Sequence, residues 1–354
     1  MGENSDQGNK SQKKMRKLKP KPRSRFLIKL SAYLIALLMM MSMFVAALPM
    51  LLSSSNGTKL LLSLSQRWVP ADLKIDSLDL SWRNPISIKG IELKDRESKG
   101  ILTVERISSS LPLLKMISQY PDIGSLEINA PYLKLTQVGN EQFNTSSTGE
   151  KQKRESLGNE NNLSVQLPFL GNLTISDGKI VLQEEGIEPV NIDGFHLNFV
   201  PRSYNEGFQL RFGAGVQQLD REGRFYVITS LKGFDQQGFL TLNKEKLLAG
   251  IVHDDVAIDL DVTMSNIPVE CIDQFVAISQ PSLRGIFNSS LGEALDLTSR
   301  SFLNDKGLEL QFSVQSPLLQ GRLSGYGNDG EFYISDGGAF TLSIRPEFIK
   351  KLSS

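Results

Sequence analysis

From Leu73 onward, apolar residues recur at every second position, and this alternation limits the fold more than any other feature of the chain. Leu73 and Ile75 alternate with Lys74 and Asp76, and Leu78, Leu80 and Trp82 with Asp79 and Ser81. Ile86 and Ile88, then Ile91 and Leu93, continue the pattern around Gly90. A period of two sends successive side chains to opposite faces, so each strand is apolar on one side and polar on the other. The apolar positions change parity at Ser77 and again at Gly90, which predicts bulges or bends there. Strand patterning resumes at Leu126, and further strands are expected over 190–199, 206–216, 223–231, 237–242, 250–264, 308–314, 318–324, 331–334 and 339–344. Helices are few. Ser108 to Ser110 and Pro112 announce a short one with Leu113, Leu114, Met116 and Ile117 on its apolar side, ended by Tyr120-Pro121. Pro268 precedes a second, over Val269–Ile278, with Cys271, Ile272, Phe275 and Ile278 on one side. The expected fold is therefore mainly β: antiparallel sheet with one wet face and two or three short helices. An apolar face of that extent must close on itself, pack on a second sheet, or hold lipid.

Leu30 to Leu52 is a run of 23 residues without a charge. As a helix it rises about 35 Å, enough to cross a hydrocarbon core. Ten basic residues and two acidic ones lie within residues 1–30, a net of +8; the remainder carries 29 basic and 37 acidic residues, a net of −8. Cationic flanks stay on the cytoplasmic side, so a single transmembrane helix at 26–52 places the bulk of the chain across the membrane. A cleaved signal peptide is the competing reading, but the run is longer than such a peptide needs, and Val45-Ala-Ala47 is the nearest approach to a cleavage site. Residues 1–25, basic and proline-punctuated, read as a disordered cytoplasmic tail, and Ser53 to Gly57 as an exit linker. The mildly acidic exterior argues against nucleic acid as a partner.

Two β blocks are expected, 59–138 and 163–354, joined by a flexible linker over 139–162 that holds one aromatic, Phe143. An echo spans the linker at an offset of 47 residues. Ile123-Gly-Ser-Leu-Glu-Ile-Asn-Ala-Pro-Tyr-Leu-Lys-Leu135 aligns with Leu170-Gly-Asn-Leu-Thr-Ile-Ser-Asp-Gly-Lys-Ile-Val-Leu182. Ala-Pro and Asp-Gly each supply a turn or kink between two strand runs. A true repeat and a chance match of two alternating segments both fit. Arg345-Pro346-Glu347-Phe348-Ile349 reads as a helix start close to the last residue, as in a shortened relative or a fragment of a longer protein.

Residues that carry chemistry are sparse. His196 points away from Phe195, Leu197 and Phe199, on the outer face of a strand, and His253 stands beside Asp254-Asp255 at a turn better read as a solvated loop than as a metal site. Cys271, the single cysteine, allows no intrachain disulfide and reads as a buried, inert thiol. No G-x-S-x-G, H-E-x-x-H, P-loop or dinucleotide fingerprint occurs. The reading is therefore of a protein that is not an enzyme and needs no metal or cofactor, although carboxylates from distant strands leave a glycosidase-like site open.

The order of features resembles the AsmA-like family of envelope proteins. The likeness rests on the anchor, on Leu73 to Asp95 with its Ile88-Lys-Gly-Ile-Glu-Leu-Lys-Asp95 motif, and on the short helix around Leu113. It continues through the two echoed segments, and through Asn266-Ile-Pro-Val269 to Leu283-Arg-Gly285 as a proline-led helix followed by a glycine strand. These motifs are patterns of apolar residues, glycine and proline. The resemblance implies an elongated, curved antiparallel β-sheet shaped as an open trough, related to chorein-type lipid-transfer bridges in outer-membrane biogenesis and anchored in the inner (cytoplasmic) membrane with its N-terminus cytoplasmic and the bulk of the chain periplasmic. Its partners are phospholipid or another acyl lipid, the membrane and envelope proteins. The implied groove residues are Leu126, Ile128, Leu173, Ile175, Phe195, Leu197 and Phe199. The alternative is a tethered β-sandwich scaffold that docks an envelope partner through a strand edge.

Overall fold

A computed structural model describes residues 22–65, 71–95, 100–137, 162–167, 169–184, 188–243, 252, 255–279, 285–328, 331–335 and 337–343. The chain forms two units, residues 1–48 and 49–354.

Helix α1 (Pro22–Ser53) contains the whole uncharged run. It begins inside the segment expected to be a disordered tail; the rest of that tail lies outside the described residues. Among the described residues no single helix is long and apolar enough to cross a membrane. The segment Leu37–Ser53 meets that length and composition only together with the next helix, α2 (Ser55–Ser65), across a bend of 89°. The expected exit linker is therefore a helix corner, with Ser54 the one non-helical residue between the two.

The rest is mainly β. Thirteen strands follow one another across a single sheet: β1 (Ala71–Asp79), β2 (Ser87–Asp95), β3 (Gly100–Ser109), β4 (Asp122–Gln137), β6 (Leu170–Glu184), β7 (Val190–Ser203), β8 (Gly207–Gln218), β9 (Arg221–Lys232), β11 (Ala257–Pro268), β12 (Ala294–Asn304), β13 (Gly307–Gln315), β14 (Leu319–Asn328) and β15 (Glu331–Ile334). A fourteenth, β16 (Ala339–Leu342), pairs with β14 beside β15. β5 (Asn162–Gln166) and β10 (Phe239–Asn243) form a separate two-stranded sheet. All pairings are antiparallel except β4 with β6, which is parallel. That pair joins the two strand blocks, 59–138 and 163–354, edge to edge.

The parallel pair is where the 47-residue echo lies. Leu126 pairs with Leu173, Ile128 with Ile175, Leu133 with Ile180 and Leu135 with Leu182, so the echoed residues stand side by side in register. Ala130 (φ 47°) and Asp177 (φ 54°) take the same left-handed conformation at the same place in each copy. Asn129 accepts a hydrogen bond from the Ser176 hydroxyl at 2.9 Å across the pair. Each copy is one long strand with a kink, where the sequence suggests two runs and a turn. Gly90 (φ 62°) in β2 and Gly194 (φ 62°) in β7 carry kinks of the same kind. A single left-handed residue absorbs the parity change, so apolar side chains before and after it stay on one face. Asp76 and Gly90 lie opposite each other between the pairs Ile75–Ile91 and Ser77–Lys89. The two parity changes seen in the sequence are thus one structural feature.

Four short helices are described beside α1. α3 (Leu113–Ser118) buries none of its residues, and Leu114 and Ile117 are exposed, so its apolar side is not a core contact. α4 (Val269–Ser279) packs through Val269, Cys271 and Ile272, while Phe275, expected on that side, is 44% exposed. α5 (Ile286–Leu291) replaces the glycine-led strand expected after Leu283. Asp273, buried on α4, accepts the Phe287 and Asn288 N–H groups at 3.0 and 2.8 Å and so caps α5 from a neighbouring helix. β12 was not expected because Ser299 and Ser301 interrupt its apolar alternation.

Candidate functional site: one face of the sheet

Pairing registers carry a single row of apolar residues across twelve strands. Leu78, Ile88, Ile107, Ile128, Ile175, Leu197, Phe212, Val227, Val262, Ser299, Phe312 and Leu323 are successive cross-strand partners from β1 to β14. Ser299 is the one polar member. The row one residue over, on the opposite face, reads Asp79, Ser87, Ser108, Glu127, Thr174, Asn198, Arg211, Ile228, Asp261, Arg300, Gln311 and Ser324. Only Ile228 is apolar there. Eleven steps at ~4.8 Å make the apolar row about 50 Å long, measured along the sheet. That is several times the ~15 Å hydrocarbon depth of one membrane leaflet.

Cover is provided at the two ends of the strands. At one end, α4 lies over Leu182, Val190, Ile192, Ala214, Val216 and Ile267, and with α5 over Leu295 and Val314. At the other end, Leu240 and Leu242 of β10, with Leu167, Phe234 and Val256, pack against Leu170, Phe199, Phe208, Leu231 and Ile258. Three buried clusters lie at these margins, while Leu78, in the row on β1, and Val104 on β3 are buried apart from them. The row from Ile88 to Val262 is half-buried at every position, and its stretch from Ile175 to Val262 lies between the two covers. On β8, Phe208 under one cover and Ala214 under the other are six residue steps apart, a gap of about 20 Å along the strand. The result is an apolar strip flanked by covers and backed by a polar face.

The seven groove residues expected from the sequence lie on this one face, on the adjacent strands β4, β6 and β7. Leu126 pairs with Leu173 and Leu173 with Phe199; Ile128 pairs with Ile175 and Ile175 with Leu197. Phe195 stands opposite Gly178. The middle three, Ile128, Ile175 and Leu197, are in the uncovered strip. Phe195 packs into the cluster beneath α4, and Phe199 into the cluster beneath β5 and β10. Phe212, Val227 and Val262 extend the strip. They fall within expected strands, but only the pairing register shows which of their residues face the same way.

Elsewhere the chemistry is muted. Among the described residues no group of three or more His, Cys, Asp or Glu is placed to hold a metal. His196 lies on the polar face, its ring 5.3 Å from that of Tyr226 across Gly213. His253 and Asp254 lie outside the described residues. Cys271 is 2% exposed and donates to Gln218 Oε1 at 3.0 Å; burial, with Glu270 beside it, pushes its thiol pKa up to about 12. On the polar face, Lys94 bonds Glu92 at 2.6 Å and holds that carboxyl below its ordinary range.

No family model, no curated protein and no solved structure matches this chain.

Proposed function

We propose that this chain is a membrane-anchored, AsmA-like envelope protein that shields or moves acyl lipid along the apolar strip of its sheet, without bond-making chemistry. The observation that carries the reading is the half-buried row from Ile88 to Val262, flanked by covered margins from Ile175 onward. Apolar surface of this extent is held in water only at a cost, at roughly 25 cal/mol per Å2. An acyl chain laid across the strands removes that cost and needs no polar partner from the strip. In this reading the uncharged run Leu30–Leu52 is the anchor, residues before it are cytoplasmic, and the sheet is periplasmic. The ligand is a phospholipid or another acyl lipid, and no residue acts as an acid, base or nucleophile.

A photo-crosslinking amino acid placed in turn at Leu197, Ile175 and Asn198 tests this in the full chain purified in detergent. The expected product is a lipid adduct at Leu197 and at Ile175, absent at Asn198, which points to the opposite face. Equal labelling of the two faces, or none on either, overturns the reading.

One observation favours a scaffold instead. At the β14 edge of the sheet, Phe332, Ile334, Phe340 and Leu342 are 41–54% exposed on two four-residue strands. A short, apolar edge of that kind suits strand addition by a protein partner. Crosslinks to protein at Phe340, with none to lipid at Leu197, select that reading.

A further inference from the structure

The corner between α1 and α2 is rigidly built. The Ser54 hydroxyl accepts the Gly57 N–H at 3.1 Å and donates to the Leu51 carbonyl at 2.6 Å. Thr58, 8% exposed, donates to the Ser54 carbonyl at 3.1 Å. A Cβ at Gly57 would fall on the Leu51 carbonyl oxygen, so the helices approach as closely as they do because this residue has no side chain. Ser53 Oγ accepts the Leu80 N–H at 2.8 Å, which ties the end of α1 to the end of β1. The next carbonyl, Ser81, accepts the Leu113 N–H at 3.2 Å and so fixes the start of α3. One two-residue segment, Leu80-Ser81, thus holds both α3 and the last residue of α1.

Both short helices turn apolar side chains outward. On α2, Leu60 and Leu64 are one helical turn apart and 55% and 45% exposed. On and just after α3, Leu114, Ile117 and Tyr120 are 57%, 66% and 69% exposed. Single exposed apolar residues are ordinary on protein surfaces. Five of them on two helices tied to the end of the apolar helix mark an interaction surface. Exposed Lys59 and Lys115 stand on the same helices and suit anionic headgroups.

We propose that α2 and α3 form a seat on the bilayer surface. α2 follows the apolar helix after a single residue, so it meets the membrane boundary when α1 crosses it. Leu60, Leu64, Leu114 and Ile117 enter the headgroup–acyl boundary, and Tyr120 sits at headgroup level, where aromatic rings with a polar tip are favoured. The occupant is a phospholipid bilayer containing anionic lipid. This rests on the reading of Leu30–Leu52 as the anchor. It adds a second, peripheral contact that holds the uncovered strip at a constant height above the membrane.

The test uses the full chain in vesicles of phosphatidylethanolamine and phosphatidylglycerol. Nitroxides are placed at Leu64→Cys, Ile117→Cys, Met41→Cys and Leu219→Cys, one at a time; buried Cys271 is left in place. Leu219, 61% exposed, lies between β8 and β9 at the other end of the strands. Collision with oxygen relative to a water-soluble nickel chelate is expected to be severalfold higher at Leu64 and Ile117 than at Leu219. Values at Leu64 and Ile117 equal to Leu219, with Met41 shielded from nickel, overturn the seat and leave the anchor standing. A Met41 label as wet as Leu219 overturns the anchor, and the seat with it.

Discussion

Leu197 and Ile192 occupy the same strand and the same face, five residues apart, and truncating each to alanine separates an open strip from a sealed core. Ile192 is 5% exposed and lies in the cluster beneath α4 with Val190, Val216 and Cys271. Leu197 is half-buried in the row between the covers. Either change removes three carbon atoms, about 2.4 kcal/mol of transfer free energy at ~0.8 kcal/mol per methylene. Beneath α4 the truncation also leaves a void that packed neighbours cannot fill, which brings the total for Ile192→Ala to about 4 kcal/mol. At Leu197 the space opens to solvent and no void is enclosed. With part of the side chain already wet, Leu197→Ala destabilises by about 1.5 kcal/mol. Urea unfolding of the delipidated chain in detergent, followed by circular dichroism of the sheet, measures both. The two variants should differ by about 2.5 kcal/mol, the gap between the buried and the half-open site. Equal losses, within about 1 kcal/mol, mean that the strip is as tightly sealed as the margin, and the argument for a lipid surface fails. Added lipid then makes a second comparison. A ligand at a hundredfold excess over its Kd stabilises the native state by about 2.7 kcal/mol, and Leu197→Asp, which places a charge in the strip, should abolish that gain.

Four further outcomes follow from local geometry. Gly57→Ala drives a methyl group into the Leu51 carbonyl and should cost about 2 kcal/mol, whereas Gly194→Ala, with open space around its Cβ, meets only left-handed backbone strain of about 1 kcal/mol; thermal melting ranks the two. Ala130→Gly relieves a left-handed alanine and should raise stability by up to about 1 kcal/mol; a loss would show that the methyl group does more packing than straining. With its pKa raised to about 12, the Cys271 thiol is ionised in only about one molecule in ten thousand at pH 8, so a maleimide or disulfide reagent should label it only after denaturation. Asp273→Ala strands the Phe287 and Asn288 N–H groups and should cost about 2 kcal/mol, read as loss of hydrogen-exchange protection in α5 before the sheet opens.

Much of the architecture is legible in particular residues. Leu73, Ile75 and Leu78, with Asp76 and Ser77 between them, announce both a strand and its kink, because the period of two is a direct consequence of pleated geometry. The echo from Ile123 to Leu135 and from Leu170 to Leu182 is legible as a pattern but not as a contact. Alternation says which residues share a face of their own strand, and nothing about which strand lies beside it. Side-by-side, in-register pairing of the two copies depends on β4 and β6 meeting in parallel, and their connection is too long for the turn between them to dictate that. The short helices are the least legible. Leu114 and Ile117 have the spacing of a core-facing helix and face outward, Phe275 does likewise, and α5 is started by a carboxylate that lies fourteen residues earlier in the chain, on α4.

The chain's order of apolar and polar residues by itself determined that it makes strands with two unlike faces, that one uncharged run precedes them, and that too few helices follow to cover what the strands expose. Tertiary structure decided the rest. Register aligned the one-sided strands into a single row from Leu78 to Leu323, and α4, α5 and the β5–β10 pair came to rest over the ends of strands on either side of that row and not over the row itself. The physical reason is range: alternation is set by each residue and its immediate neighbours, whereas the choice of which apolar surface is covered is made between segments far apart in sequence, competing for the same face.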